Sequence, residues 1–137
     1  MISFNEDHWF DRVRWALSIR QPWAWCILNA HKDIENRTWF TSFRGRFLIH
    51  AAKTMTARDY SECDKFLERI AWNVELPPPQ FLERGGIVGV ANLADCVEEA
   101  DSPWFVGPAG FVLDDVRELK FRPCVGRLGF FRPKYEN

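Results

Sequence analysis

The stretch that decides the fold runs from residue 17 to residue 53 and reads LSIRQPWAWCILNAHKDIENRTWFTSFRGRFLIHAAK. Apolar residues at 15–19 predict a first strand, and Pro22 suits the first turn of a helix over residues 23–30. Residues 34–39 alternate between apolar and polar side chains, and residues 46–51 contain a continuous apolar run. Both patterns predict strands, so strands and a helix are mixed within one short segment.

The rest of the chain adds one strong helix and several short strands. Thr56 is a good N-cap and Asp59 lies in the first turn, while apolar residues at 60, 63, 66, 67 and 70 form an amphipathic stripe. Residues 87–97, 111–113, 119–121 and 126–131 predict strands, with a turn at Asp114-Asp115. Leu76-Pro77-Pro78-Pro79 predicts an extended loop rather than a domain boundary.

About six or seven short strands with only two substantial helices favour an α+β fold. The strands are expected to form a small β-barrel with both helices packed outside it. The pattern is not βαβαβ, which excludes a dinucleotide-binding fold. With 137 residues, we expect one domain over residues 15–137, preceded by an N-terminal extension over residues 1–14.

Composition indicates a globular protein without a membrane segment or a metal motif. Hydrophobic residues make up 47% and charged residues 27%, and no run approaches the roughly 20 apolar residues of a membrane span. The acidic first residues do not resemble a signal peptide, so a cytoplasmic protein is expected. The four cysteines form no Cys-x-x-Cys pair, which predicts reduced, structural thiols and neither a zinc site nor a redox motif.

Charge and aromatic residues are distributed unevenly. The net charge is −1, yet residues 12–58 contain nine Lys or Arg against two Asp or Glu, and residues 59–101 contain three against ten. Such a chain can present a local basic surface, unless the two signs interleave on folding. Aromatic residues reach 15%. Some rings are therefore expected to line a surface on which bases stack, and the alternative is that all of them fill the core.

Residues 30–37 carry a recognisable motif. Ala30, Lys32, Glu35 and Arg37 match three of the four positions of the pattern GxKxxExR, with alanine at the glycine position. Together with residues 17–25, 50–53, 84–89, 102–108 and 129–131, they make the chain resemble the ASCH domain family, in particular its bacterial and phage single-domain members. The resemblance covers nearly the whole chain from residue 16 onward.

The resemblance implies a PUA-like barrel and a role in RNA metabolism. Some relatives are ribonucleases, and some small relatives are amidohydrolases that act on acylated cytidine. The catalytic lysine of those amidohydrolases matches Lys32, whereas their threonine at the signature glutamate position is replaced by Glu35.

The residues themselves suggest a site of two cations and one carboxylate. Lys32 and Glu35 lie three apart at the passage from helix to strand, and Arg37 shares a strand face with Glu35. The cations could hold a phosphate, while the carboxylate accepts a proton or bonds a base. Lys32, Glu35 and Lys53 are the candidate catalytic residues. The alternative is a structural ion pair that joins the helix to the barrel.

Further candidates for nucleic-acid binding surround this cluster. Gln21 could bond a base edge, and Trp23, Trp39 and Trp104 could stack on bases, with plain packing as the alternative for each ring. Of Trp23 and Trp25, Trp23 is expected to be the exposed ring.

Three other polar residues complete the set of candidates. Arg44 is expected to contact phosphate. His50, close to Lys53, is either an acid–base or phosphate-contacting group at the rim, or a histidine bonded to a backbone carbonyl. Ser102 is expected to bond a ligand or to cap a turn.

The predicted function is binding of single-stranded RNA or a modified nucleotide in a basic, aromatic cleft, with ribonuclease activity as an extension. The alternatives are an amidohydrolase on an acylated pyrimidine nucleoside, or a protein-interaction module that docks through the acidic segment. No cofactor or metal site is evident in the sequence. A hydrated Mg²⁺ or Mn²⁺ would leave little trace there and stays open, as does the oligomeric state.

Overall fold

The computed structural model describes residues 7–71 and 73–135. Its elements in chain order are α1 (Asp7–Arg12), β1 (Ala16–Ile19), α2 (Trp23–Asn29), β2 (Ile34–Arg37), β3 (Gly45–Ala51), α3 (Ala57–Ile70), a 3-10 turn (Pro79–Phe81), β4 (Gly86–Val97), β5 (Ala109–Pro123) and β6 (Phe130–Phe131). Residues 1–6 of the expected N-terminal extension lie outside the described residues, and α1 occupies most of the remainder.

The six strands form one curled sheet in the order β2-β5-β4-β3-β1-β6. Every neighbouring pair is antiparallel except β1 and β3, which are parallel and connected through α2 and β2. Bulges in the β3–β4 and β4–β5 ladders bend the long strands. The predicted class, an α+β fold built on a small barrel with two main helices, is confirmed.

Side chains join the β2 edge of the sheet to its other end, which is formed by β1 and β6. Nη2 of Arg37, at the end of β2, donates to the Ser18 carbonyl of β1 at 2.8 Å. The ring of Trp39 meets the ring of Phe130 from β6 edge to face, with centroids 6.0 Å apart. We call this junction the seam, because side chains join the sheet edges there.

The core explains which residues form these elements. Phe47, Phe111 and their neighbours fill the inside of the sheet, and each fully buried large side chain contributes about 1.5–3 kcal/mol. Helices α2 and α3 pack together through a second apolar cluster that includes Cys26, Cys63 and Trp104.

Helix α3 begins with the predicted cap at Thr56. The Thr56 hydroxyl accepts from the Asp59 N–H at 3.0 Å, and the Asp59 carboxylate accepts from the Thr56 N–H at 2.9 Å. This capping box satisfies two backbone donors that the first turn of the helix would otherwise leave unpaired. No helix among residues 7–71 and 73–135 is long and apolar enough to cross a membrane.

Two predictions in the second half were wrong. Asp114-Asp115 is not a turn, because β5 continues through it: residues 115–116 form a bulge opposite Ala91, and Asp115 takes φ 46°. The strand predicted over residues 126–131 is confined to Phe130–Phe131. Residues 124–129 instead form a loop beside the seam, which we call the seam loop.

Candidate nucleic-acid interface

A cleft of about 1280 Å³ opens at the seam. It is lined by residues 18–20 and 35–39, the end of β3 with residues 52–54, and residues 123–129, together with Trp23, Lys32, Phe66, Arg84, Gly85, Trp104 and Val106. The seam cleft therefore lies where the barrel is closed by side chains and where the helices cover its edge.

Most of the candidate residues meet in this cleft. Eight of the eleven line it: Trp23, Lys32, Glu35, Arg37, Trp39, His50, Lys53 and Trp104. The structure places Gln21, Arg44 and Ser102 elsewhere, each with local hydrogen-bond partners.

The three remaining candidates stabilise loops and helix ends. Arg44 does so by donating to the Thr41 and Phe43 carbonyls at 2.9 and 2.8 Å. Gln21 is buried, where its Nε2 donates to the Glu83 carbonyl at 2.9 Å and its Oε1 accepts from the Trp25 N–H at 2.9 Å. The Ser102 hydroxyl donates to Asp33 at 2.5 Å and accepts from the Trp104 N–H at 3.1 Å. Ser102 thus organises a turn, which was one of its two expected roles.

Lys32, Glu35 and Arg37 form a linear ion cluster at the floor of the cleft. Lys32 Nζ lies 3.1 Å from Glu35 Oε1, and Arg37 Nη2 lies 3.0 Å from Glu35 Oε2. The Lys32 side chain is only 4% exposed, and its ammonium also donates to the Ile34 carbonyl. Both carboxylate oxygens are occupied, and two cations against one anion leave the cluster with a formal charge of +1.

The turn before the cluster explains why alanine fits the glycine position. Ala30 ends α2 with φ −129°, which any residue adopts. The left-handed conformation falls on the next residue, His31, with φ 56°. The Lys32 N–H then bonds back to the Cys26 carbonyl at 3.2 Å, which fixes the lysine backbone at the end of the helix.

An aromatic wall covers the helical side of the cleft. The rings of Trp23 and Phe66 meet with centroids 6.2 Å apart, and Phe66 meets Trp104 at 5.0 Å. Trp23 is half-buried and lines the cleft, whereas Trp25, also half-buried, packs into the helical cluster.

Asn36 is a site residue that sequence reasoning missed. Its Nδ2 donates to the Trp104 carbonyl at 2.9 Å, and its Oδ1 accepts from the N–H groups of Val106 and Gly107 at 2.8 and 2.9 Å. This one amide therefore holds the segment carrying Trp104 against β2. A polar residue inside the motif was the only sequence signal for it.

The cleft is strongly basic. Six of its lining residues are cations and one is a carboxylate, Glu35: the cations are Arg20, Lys32, Arg37, Lys53, Arg84 and Arg127. Lys53 and Arg127 are exposed and form no ion pair within residues 7–71 and 73–135. Arg84 donates to the Lys53 carbonyl at 3.1 Å.

Some of the basic residues do interleave with acids from the second half of the chain. Arg20 pairs with Asp59 at 2.8 Å, and Arg44 lies 3.4 Å from Asp95. The acids of residues 59–101 do not neutralise the cleft, because none of them lines it. Sequence reasoning missed Arg20, Arg84 and Arg127 as site residues.

His50 is a buried neutral group at the back of the cleft. Its Nε2 lies 2.9 Å from the Cys124 carbonyl, which can only accept, so Nε2 carries the proton. Nδ1 then accepts from the Ser18 hydroxyl at 3.0 Å. Burial lowers the pKa of His50, and the bond to the Cys124 carbonyl opposes that shift. A Cβ on Gly126 would come within 2.6 Å of the imidazole, so the seam loop requires glycine there.

The burial of His50 predicts a loss of stability in mild acid. Because its pKa in the folded protein lies below its ordinary value of 6.5, its contribution is complete above pH 6.5 and is lost as pH falls toward the lowered pKa. The melting temperature of the protein should therefore fall between pH 7.5 and 5.5, and fall less in His50→Gln. Parallel decreases in the two proteins, measured by circular dichroism, would contradict this role.

In the described part of the chain, no group of three or more His, Cys, Asp or Glu side chains is placed to hold a metal ion. The four cysteines are free, and the sulfurs of Cys26 and Cys63 lie 3.4 Å apart between α2 and α3. The bond to Cys26, together with burial, raises the pKa of the Cys63 thiol. Cys63 is therefore a protonated thiol, and its contact with Cys26 packs the two helices together.

Comparisons with known proteins identify the family of the chain. The ASCH domain model matches residues 17–106, and the chain belongs to the ASCH domain family, which is generally associated with RNA. Activating signal cointegrator 1 of Homo sapiens is 33% identical over 86 residues, and its Mus musculus counterpart is 31% identical over 86 residues. These matches take in 62% of this chain but only 15% of each relative's length.

Proposed function

We propose that the seam cleft binds single-stranded RNA. The observation that carries the proposal is the lining of the cleft, in which six cations face one carboxylate that is already neutralised by two of them. Phosphate contacts supply most of the affinity of proteins that bind nucleic acid without sequence preference. Lys53 and Arg127, which are exposed and unpaired within the described residues, are the cations most accessible to such phosphates.

The rings and the rim of the cleft suit unpaired bases. Trp23 and Trp39 are half-buried and line the cleft, and base–aromatic stacking is worth about 1–3 kcal/mol per base. Exposed apolar side chains stand at the rim: Val106 is 76% exposed and Leu128 is 99% exposed. Stacking of this kind needs bases whose faces are open, which favours a single strand over a duplex.

The size of the cleft supports an oligonucleotide rather than a single nucleoside. Its volume of about 1280 Å³ exceeds the roughly 300–1,000 Å³ of ordinary small-molecule sites. A ligand of several nucleotides would reach from the ion cluster at the floor to the seam loop. A single modified nucleoside, which is the alternative ligand expected from the sequence, would leave much of this basic surface without a contact.

The ion cluster favours recognition over catalysis. Each oxygen of Glu35 already accepts from one cation, Lys32 or Arg37, so this carboxylate serves to hold the two cationic side chains in place. The Lys32 ammonium is likewise held by Glu35 and by the Ile34 carbonyl. As arranged, the cluster presents a fixed positive charge to a phosphate.

Photo-crosslinking of a tetranucleotide RNA containing 4-thiouridine tests the location of the site. Mass spectrometry should find the adducts on Trp23, Trp39, Phe66 or the seam loop. The same four nucleotides placed in the base-paired stem of a longer hairpin should give no adducts at these residues. Adducts confined to surfaces outside the cleft, such as the exposed Phe81, would overturn the proposal.

A further inference from the structure

A second cavity of about 560 Å³ lies between the N-terminal segment and the start of β3. Four arginines line it, two from each side: Arg12 and Arg14, and Arg44 and Arg46. The rings of Trp9, Trp15 and Phe43 also line it, together with His8 and Val13, and no carboxylate among the described residues takes part. We call it the arginine cavity.

The charge of the arginine cavity is only partly neutralised. Arg46 pairs with Asp115 and lies 4.8 Å above the Trp9 ring, and Arg44 approaches Asp95 at 3.4 Å. Arg12 and Arg14 are exposed and make no ion pair within residues 7–71 and 73–135. Two guanidinium groups are therefore available to an anion, and their planar fork matches the oxygens of a phosphate.

An aromatic pair connects this cavity to the seam cleft. Phe43, which lines the arginine cavity, stacks on Phe130 with ring centroids 4.6 Å apart and planes 30° apart. Phe130 directly follows Gly129, a lining residue of the seam cleft, and its ring also meets Trp39 of that cleft. A continuous series of ring contacts, Phe43–Phe130–Trp39, therefore runs from one basic surface to the other.

We propose that the arginine cavity is a second phosphate-binding subsite for the same strand, which holds the backbone where it leaves the seam cleft past Phe43. This inference rests on the proposed function. The chemistry of the ligand is a phosphodiester contacted by Arg12 and Arg14. Residues 8–15 precede the segment that matches the family model, so one wall of the subsite comes from sequence outside that match.

Affinity for RNA of two lengths separates the subsite from the cleft. A tetranucleotide should be held by the seam cleft alone, and a dodecanucleotide should reach the arginine cavity and bind more tightly. The double variant Arg12→Gln/Arg14→Gln should weaken dodecanucleotide binding about tenfold, as expected for two lost charge-assisted contacts, and should leave tetranucleotide binding unchanged. Fluorescence anisotropy with end-labelled RNA measures both affinities.

A matched control is Lys65→Gln/Lys134→Gln, which removes the same charge from exposed positions outside both cavities and should change neither affinity. If the tetranucleotide binds but the Arg12→Gln/Arg14→Gln variant has an unchanged affinity for the dodecanucleotide, the subsite is overturned and the proposed function stands. Equal losses at both lengths would also overturn the subsite. Failure of the unmodified protein to bind the tetranucleotide would instead overturn the proposed function.

Discussion

Replacing Glu35 with alanine should lower the free energy of unfolding by about 3–5 kcal/mol, because it leaves two enclosed cations without their anion. Lys32 is 4% exposed and Arg37 is 20% exposed at the side chain, and both bond the same carboxylate. Their remaining partners are the neutral carbonyls of Ile34 and Ser18. For a chain of this size the loss corresponds to a melting temperature lower by roughly 10–20 °C.

The matched control for Glu35 is Glu62→Ala. Glu62 also bonds a cation, Arg58, but this pair lies on the exposed face of α3, with side chains 56% and 86% exposed. Exposed pairs contribute little because water and salt screen them, so the melting temperature should hardly change. Urea denaturation of both variants gives the comparison. A loss of stability in Glu35→Ala as small as in Glu62→Ala would show that the cluster does not brace the floor of the cleft.

Reversing two charges at the mouth of the cleft should lower the affinity for a tetranucleotide RNA about 100-fold. Lys53→Glu/Arg127→Glu replaces two attractions to phosphate with two repulsions, at about tenfold for each position. Both side chains are exposed and form no ion pair within the described residues, so the fold should be unaffected. Anisotropy titrations at fixed salt measure the change, and the melting temperature checks the fold.

The control for this experiment must carry the same change in net charge. Lys65→Glu/Lys134→Glu provides it at exposed positions outside both cavities, and the affinity should stay within about threefold of the unmodified protein, since screened charges act weakly beyond about 10 Å. If both double variants weaken binding equally, the affinity reflects overall charge rather than the seam cleft.

Local patterns in the sequence predicted the parts of the fold that local physics determines. The helix cap at Thr56 and the strands predicted over residues 34–39 and 46–51 depend on neighbours within a few positions. The cap is present, and strands are found at Ile34–Arg37 and Gly45–Ala51. The prediction of a turn at Asp114-Asp115 was wrong because it also depended on neighbouring residues alone. Two aspartates favour a turn locally, but the pairing of β5 with β4 keeps both in the strand, with Asp114 opposite Asn92 and Asp115 in the bulge.

The site was predictable only where the motif places its residues close together in the chain. Lys32, Glu35 and Arg37 meet because of helix and strand geometry within six residues. Arg84 and Arg127 reach the same cleft from distant loops, and no local pattern distinguishes them from other surface arginines. The Gln21 amide could bond the edge of a base, yet in the fold it joins α2 to the Glu83 carbonyl.

The salt dependence of tetranucleotide binding tests the role of the seam cleft most directly. Single-strand binding loses about 0.7 in the slope of log affinity against log salt for each phosphate contact, so about three contacts, one for each phosphodiester of a tetranucleotide, predict a slope near −2.1. In Lys53→Glu/Arg127→Glu the slope should be shallower by about 1.4, since two of those contacts are gone. A slope near zero in the unmodified protein, or the same slope in both proteins, would contradict binding of the RNA backbone in this cleft.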